Sequence, residues 1–161
     1  MNQEEARERA IETYYEGYRY QTNGRLAEAV SRYEQSIKLF PTAEAHTHLA
    51  WILGMQGKVE DAIEECYKAI ALDPEYGNPY NDIGYFLIET SRHGEAIPWL
   101  KKALEAKRYD HFSFPHYNLA RCYEKLGPWT AALDHYSRAL EVSPDFADAR
   151  VGQKRLQANL N

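Results

Sequence analysis

Three stretches of the chain share one design: GRLAEAVSRYEQSIKLFP (24–41), GKVEDAIEECYKAIALDP (57–74) and GPWTAALDHYSRALEVSP (127–144). A fourth, SRHGEAIPWLKKALEAKR (91–108), lacks the closing proline. Within 57–74, Val59, Ala62, Ile63, Cys66, Ala69 and Ile70 recur at helical spacing and form one apolar face. Asp73-Pro74 ends that helix, because proline cannot continue it and restricts the residue before it. Gly24 to Gly57 is 33 residues, Ala62 to Ala96 is 34, and Ala96 to Ala132 is 36, the last lengthened by an insertion near Tyr109 to Phe112. A second helical segment fills each interval, so the repeating unit is a helix hairpin. One hairpin cannot bury its apolar face alone, and neighbours must stack.

The same spacing and its breakers predict helices over 3–22, 26–39, 42–55, 59–72, 78–90, 93–107, 114–126, 129–142 and 147–159, with no strand. Gly24 is placed to cap the first helix in the left-handed conformation. Ser113 reads as an N-cap with Pro115 in the first turn behind it. Pro98 is tolerable near the first turn of its helix, which implies a late start or a slight bend there. The segment Arg108 to Pro115 replaces a tight turn by an aromatic loop. Phe112 and Phe114 are expected to tuck beneath it as a small satellite core; the alternative is a recognition edge. In the last helix Ala149, Gly152, Leu156 and Leu160 should cover the end of repeat four, with Lys154 and Arg155 turned to water.

With 161 residues, 44% of them apolar, and no Gly/Ser-rich or Pro-rich linker, the chain reads as a single domain over 1–161. Its repeats run over 10–42, 43–76, 77–110 and 113–146, followed by a capping helix at 147–160. A net charge of −5 gives no basic footprint, so no nucleic-acid partner is expected. No apolar run reaches membrane-spanning length, and MNQEEARERA lacks the apolar core of a secretory signal. The expectation is a cytoplasmic protein without membrane insertion. Cys66 and Cys122 read as packed, reduced thiols.

These landmarks resemble the tetratricopeptide repeat family. The matching residues include Gly17, Tyr20, Ala29, Tyr33, Ser36 and Pro41 in repeat one and Leu49, Ala50, Leu53, Gly57, Ala62, Ala69 and Pro74 in repeat two. Repeat three supplies Tyr80, Ile83, Gly84, Leu87, Ala96, Leu100 and Ala103, and repeat four Leu119, Ala120, Tyr123, Gly127, Ala132, Tyr136, Ala139 and Pro144. The resemblance implies an all-α, right-handed superhelical solenoid of four helix-turn-helix repeats with a C-terminal capping helix. The physics agrees: small residues at Gly17, Ala50, Gly84 and Ala120 let the two helices of each hairpin approach closely.

No chemistry of a catalytic site emerges. His46 and His116 occupy a bulky packing position, and His46 and His48 point to different faces. The chain has no HExxH, CxxC, P-loop or GxSxG. No enzyme activity, catalytic residue, metal or cofactor is expected.

In the family, one stripe of each first helix lines the concave surface where partners bind. Carried over by matched positions, it gives Tyr14 and Tyr18 in repeat one, Thr47 and Trp51 in repeat two, Asn81 and Tyr85 in repeat three, and Tyr117 and Arg121 in repeat four. Tyr and Trp suit hot spots, Asn81 can bond a backbone amide, and Arg121 offers a fork for a carboxylate. The expected function is therefore a non-enzymatic scaffold or adaptor that holds a protein or peptide partner in an aromatic groove. The alternative is a self-assembling architectural subunit, a homo-oligomer. The relatives that grip chaperone C-terminal tails use a Lys/Asn/Arg set. Here the matched positions are Tyr14, Tyr18, His48, Asn78 and Asp82 in one frame and Thr47, Trp51, Asp82, Phe114 and Asn118 in the next, so a chaperone tail is not the expected partner.

Overall fold

The computed structural model describes residues 2–160. Its described residues form nine α-helices and no strand: α1 (Gln3–Thr22), α2 (Leu26–Leu39), α3 (Ala43–Met55), α4 (Val59–Leu72), α5 (Asn78–Glu89), α6 (His93–Glu105), α7 (Ser113–Leu126), α8 (Trp129–Val142) and α9 (Ala147–Leu160). They make two compact units, one ending at Pro74 and the other beginning at Glu75. In the first unit α1 pairs with α2, α3 with α4, and α2 packs on α3. In the second, α5 pairs with α6 and α7 with α8, α6 packs on α7, and α9 lies on α8. Each unit is thus two stacked hairpins, the second with an added helix.

The repeated small, aromatic and proline landmarks set the packing. In the first unit Ala29, Tyr33, Leu49 and Ile52 form a buried cluster. In the second, Ala120, Ala132, Tyr136, Ala139, Ala149 and Leu156 do the same. Cys66 and Cys122 are buried and not joined in a disulfide. Gly17 and Gly84 stand where a side chain would strike the facing helix. A Cβ on Gly17 would lie 2.9 Å from the Tyr33 ring, and one on Gly84 only 2.3 Å from Leu100 Cδ2.

Each hairpin turns through a left-handed residue at one fixed place: Gly24 at φ 74°, Gly57 at 79° and Gly127 at 111°. The third hairpin has Ser91 there, at φ 62°. An L side chain in that conformation costs about 1–2 kcal/mol relative to the right-handed one, a penalty glycine escapes. Ser91→Gly is therefore expected to stabilise the protein by about 1 kcal/mol, read as a raised thermal midpoint. An unchanged or lowered midpoint would mean that the turn holds no strain.

Several sequence expectations need correcting. Phe112, not Ser113, occupies the N-cap of α7; it has helical angles, and no side chain caps the end. Ser113 is buried and already helical, because a preceding turn, with Phe114 N donating to the His111 carbonyl, starts the coil early. Helix α6 starts at His93 rather than late, so Pro98 falls inside it. Pro98 cannot donate to the Gly94 carbonyl, and both residues are exposed, so water can serve that oxygen. The inserted loop is tied down by Tyr109, not by both phenylalanines. Tyr109 lies on Gly77, where a Cβ would come within 2.4 Å of the tyrosine, and meets Phe112 edge-on at 5.4 Å. The strand-like segment beside it pairs Arg108 N with the Glu75 carbonyl at 2.9 Å and Gly77 N with the Arg108 carbonyl at 3.2 Å. Phe114 stays 47% exposed. At the end of the chain Ala149, Gly152 and Leu156 are buried as expected, but Leu160 is 47% exposed.

One edge differs in kind. Where α3 buries Ala45, Leu49 and Ile52, and α7 buries Pro115, Leu119 and Cys122, α1 has Glu12, Glu16 and Arg19 at the matching positions. Glu12 and Arg19 face water, and Glu16 pairs with Arg32 at 3.2 Å.

Candidate partner-binding surface

The first-helix stripe is found on each unit separately. In the first unit Tyr14 and Tyr18 of α1 both stand edge-on to His48 of α3, at 5.5 and 5.6 Å between ring centroids. His48 Nδ1 lies 3.2 Å from Gln21 Oε1, and the Tyr33 hydroxyl donates to the same oxygen at 2.6 Å. Burial keeps the His48 imidazole neutral by lowering its pKa. The Tyr14 phenol is pushed up to about 12, first by burial and then by Glu44. Tyr14 is thus largely an inter-helix packing residue, whereas Tyr18 remains 45% exposed. Thr47 is buried and its hydroxyl donates to the Ala43 carbonyl at 2.7 Å, so it offers no contact to a partner. Trp51 is partly exposed. Beside Tyr14 an open hollow of about 320 Å³ is lined by Ile11, Tyr15, Phe40, Arg7 and Glu44.

In the second unit the stripe is a polar ladder with aromatic steps. Asn118 of α7 is buried and donates through Nδ2 to Asn81 Oδ1 of α5 at 3.2 Å. Arg121 Nη1 reaches Asn118 Oδ1 at 3.4 Å, and its Nη2 pairs with Glu89 at 2.8 Å. The guanidinium expected to be open for a partner's carboxylate is therefore already engaged. It also lies 5.8 Å from the centre of the Tyr117 ring, which meets Phe146 at 4.9 Å and Tyr136 at 6.1 Å. Tyr85 is partly exposed, and burial with Glu89 nearby raises its phenol.

The stripe does not stop at α7. Adding the 34-residue interval to Phe114, Tyr117 and Arg121 gives Asp148, Val151 and Arg155 on α9. These three, with Tyr117, Arg121, Tyr136 and Gly152, line a second hollow of about 290 Å³. Arg155 is exposed, as expected, and at the same time reaches both carboxylate oxygens of Glu124 of α7 at 2.9 Å. Glu124 also accepts the Tyr136 hydroxyl at 2.7 Å. The Tyr136–Glu124 bond repeats the Tyr33–Gln21 bond of the first unit; Arg155, in the register position of Trp51, is the added charged partner. Reading α9 only as a cap hid this row, although the repeat interval alone locates it.

Histidines elsewhere do packing work. His46 Nδ1 lies 2.5 Å from Glu65 Oε2 in a nearly closed site, and Lys68 holds the other carboxylate oxygen. His116 and His135 meet at 3.0 Å between Nδ1 atoms, with Tyr123 stacked on His135. Burial lowers both imidazoles, His135 to about 4. Among the described residues no group of three or more His, Cys, Asp or Glu side chains is arranged to hold a metal ion. No helix among them is long and apolar enough to cross a membrane.

Stacked helix hairpins that present one stripe of each first helix define a repeat-type interaction module. The chain belongs to the tetratricopeptide repeat family: three family models so described match residues 14–77, 78–110 and 114–146. It is similar to the TPR repeat-containing thioredoxin TTL4 of Arabidopsis thaliana, 32% identical over 81% of this chain and 20% of that protein. It thus spans about a fifth of the length of that relative. Among solved structures it resembles Pseudomonas aeruginosa pilF, at 24% identity and a TM-score of 0.86, covering 98% of this chain and 70% of that one. It also resembles YrrB, described as a TPR protein with an unusual peptide-binding site, at 20% identity and a TM-score of 0.72, covering 93% and 77% of the two chains. At these identities the two structures speak to the fold. Proteins of this family generally mediate protein–protein interactions and are generally not enzymes.

Proposed function

We propose that the chain is a non-enzymatic scaffold that holds a partner's peptide or helical segment against an aromatic first-helix stripe. The observation that carries this reading is the partly exposed aromatic series Tyr18, Trp51, Tyr85 and Tyr117, set among side chains already locked in place. Tyr14 and Tyr18 are braced by His48, and Tyr117 by Phe146. A rigid ring costs little entropy when it is covered, which is what a binding hot spot needs. The family's general role in protein interaction supports the same reading.

Trp51→Ala and Tyr85→Ala should each weaken capture of the cellular partner by about tenfold or more while the helical circular dichroism is retained. If both variants capture it as wild type does, the stripe is not the contact surface.

A further inference from the structure

We infer that the hollow between α7 and α9 receives a basic side chain of the partner, a lysine or arginine, with its charged head against Asp148. This rests on the partner-binding reading of the stripe. The hollow holds two guanidiniums, yet neither has charge to spare. Arg121 is paired with Glu89, and Arg155 is held by both oxygens of Glu124. Asp148, in contrast, lines the hollow, is exposed, and has no ion-pair partner among the described residues. Counting the lining groups with their direct partners gives two cations against three carboxylates, Glu89, Glu124 and Asp148, an excess of one negative charge. The walls suit a long basic side chain as well. Val151 is 61% exposed and, with the Tyr117 ring, can cover an aliphatic stem while the head meets the carboxylate. Tyrosine rings also favour cations over anions. The site is opposite in sign to one built for an acidic peptide.

The test is a titration of the ¹⁵N-labelled protein with N-acetyl-arginine amide, N-acetyl-lysine amide and N-acetyl-glutamate amide. The two basic probes should shift the amides of Tyr117, Asp148 and Val151 in the millimolar range. Asp148→Asn should weaken them about fivefold, the loss of one modest ion pair, and Asp148→Glu should restore part of the binding. Shifts with the glutamate probe instead would assign the hollow to an anion through Arg121 and Arg155, and would overturn the inference. No shift with either basic probe at tens of millimolar, or an unchanged response in Asp148→Asn, would overturn it too. A partner lost by Trp51→Ala but held normally by Asp148→Asn would remove this inference and leave the stripe standing. A partner held normally by both Trp51→Ala and Tyr85→Ala would remove the reading beneath it.

Discussion

Gly84→Leu should cost about 3 kcal/mol or more, seen as a thermal midpoint lowered by several degrees, whereas Gly94→Ala should gain about 0.5–1 kcal/mol. Both glycines lie in helices, so intrinsic propensity favours replacing either. Their surroundings separate them. A Cβ on Gly84 would meet Leu100 Cδ2 at 2.3 Å and Cγ at 2.5 Å, and Leu100 is fully buried with nowhere to swing. A Cβ on Gly94 would meet nothing within 4 Å. Gly84→Ala should lie between, since a single methyl already forces α5 and α6 apart against its propensity gain. If Gly84→Ala proves as stable as wild type, the close approach of those helices is not a packing constraint.

Asp82→Asn should stabilise the protein near pH 8 by about 2 kcal/mol and do almost nothing near pH 4. Burial, opposed by a hydrogen bond from Asn81, raises the Asp82 carboxyl to about 7. An unfolded Asp titrates near 3.9. The folded state therefore holds the extra proton between these values. That advantage is complete below about pH 4 and is lost as the pH rises through about 7, where the carboxylate must sit charged in a poorly solvated place. The amide has no charge to desolvate at any pH. The whole interval is worth about 4 kcal/mol at most, and the residual solvent contact of this partly buried side chain roughly halves it. Thermal melts of both proteins at the two pH values check the sign; an equal difference at both would show that the charge state is not what matters.

Much of the fold was legible because its signals are local. Left-handed turn residues, closing prolines and the four-residue alternation of small and aromatic positions each act within one hairpin. What failed depended on neighbours distant in sequence. Ser113 has the chemistry of an N-cap, but the turn at His111 and the burial of the loop against Tyr109 and Gly77 moved the helix start. Arg121 has the right fork for a carboxylate, but the reach of Glu89 from α5 decides whether that fork is open. Thr47 sits in the stripe by register but is buried, and its hydroxyl is spent on the Ala43 carbonyl of its own helix, a local option that threonine always has. The α9 row was readable by counting, and was hidden by treating a terminal helix as packing alone.

The charged edge of α1 bears on how such a protein behaves when crowded. A one-dimensional stack behaves as a growing crystal face does: an apolar end offers the next copy a seat, and a mismatched end stops growth. Glu12, Glu16 and Arg19 occupy the positions at which α3 and α7 present Ala, Leu, Ile, Pro and Cys. A second copy docking there would have to strip water from three ionisable groups, one of them already paired to Arg32, against the exposed Tyr15 ring as the large apolar group on that face. That desolvation would oppose the seating of another copy on the charged face of α1, whereas Tyr18, on the stripe proposed to meet a partner, lies exposed on the same helix.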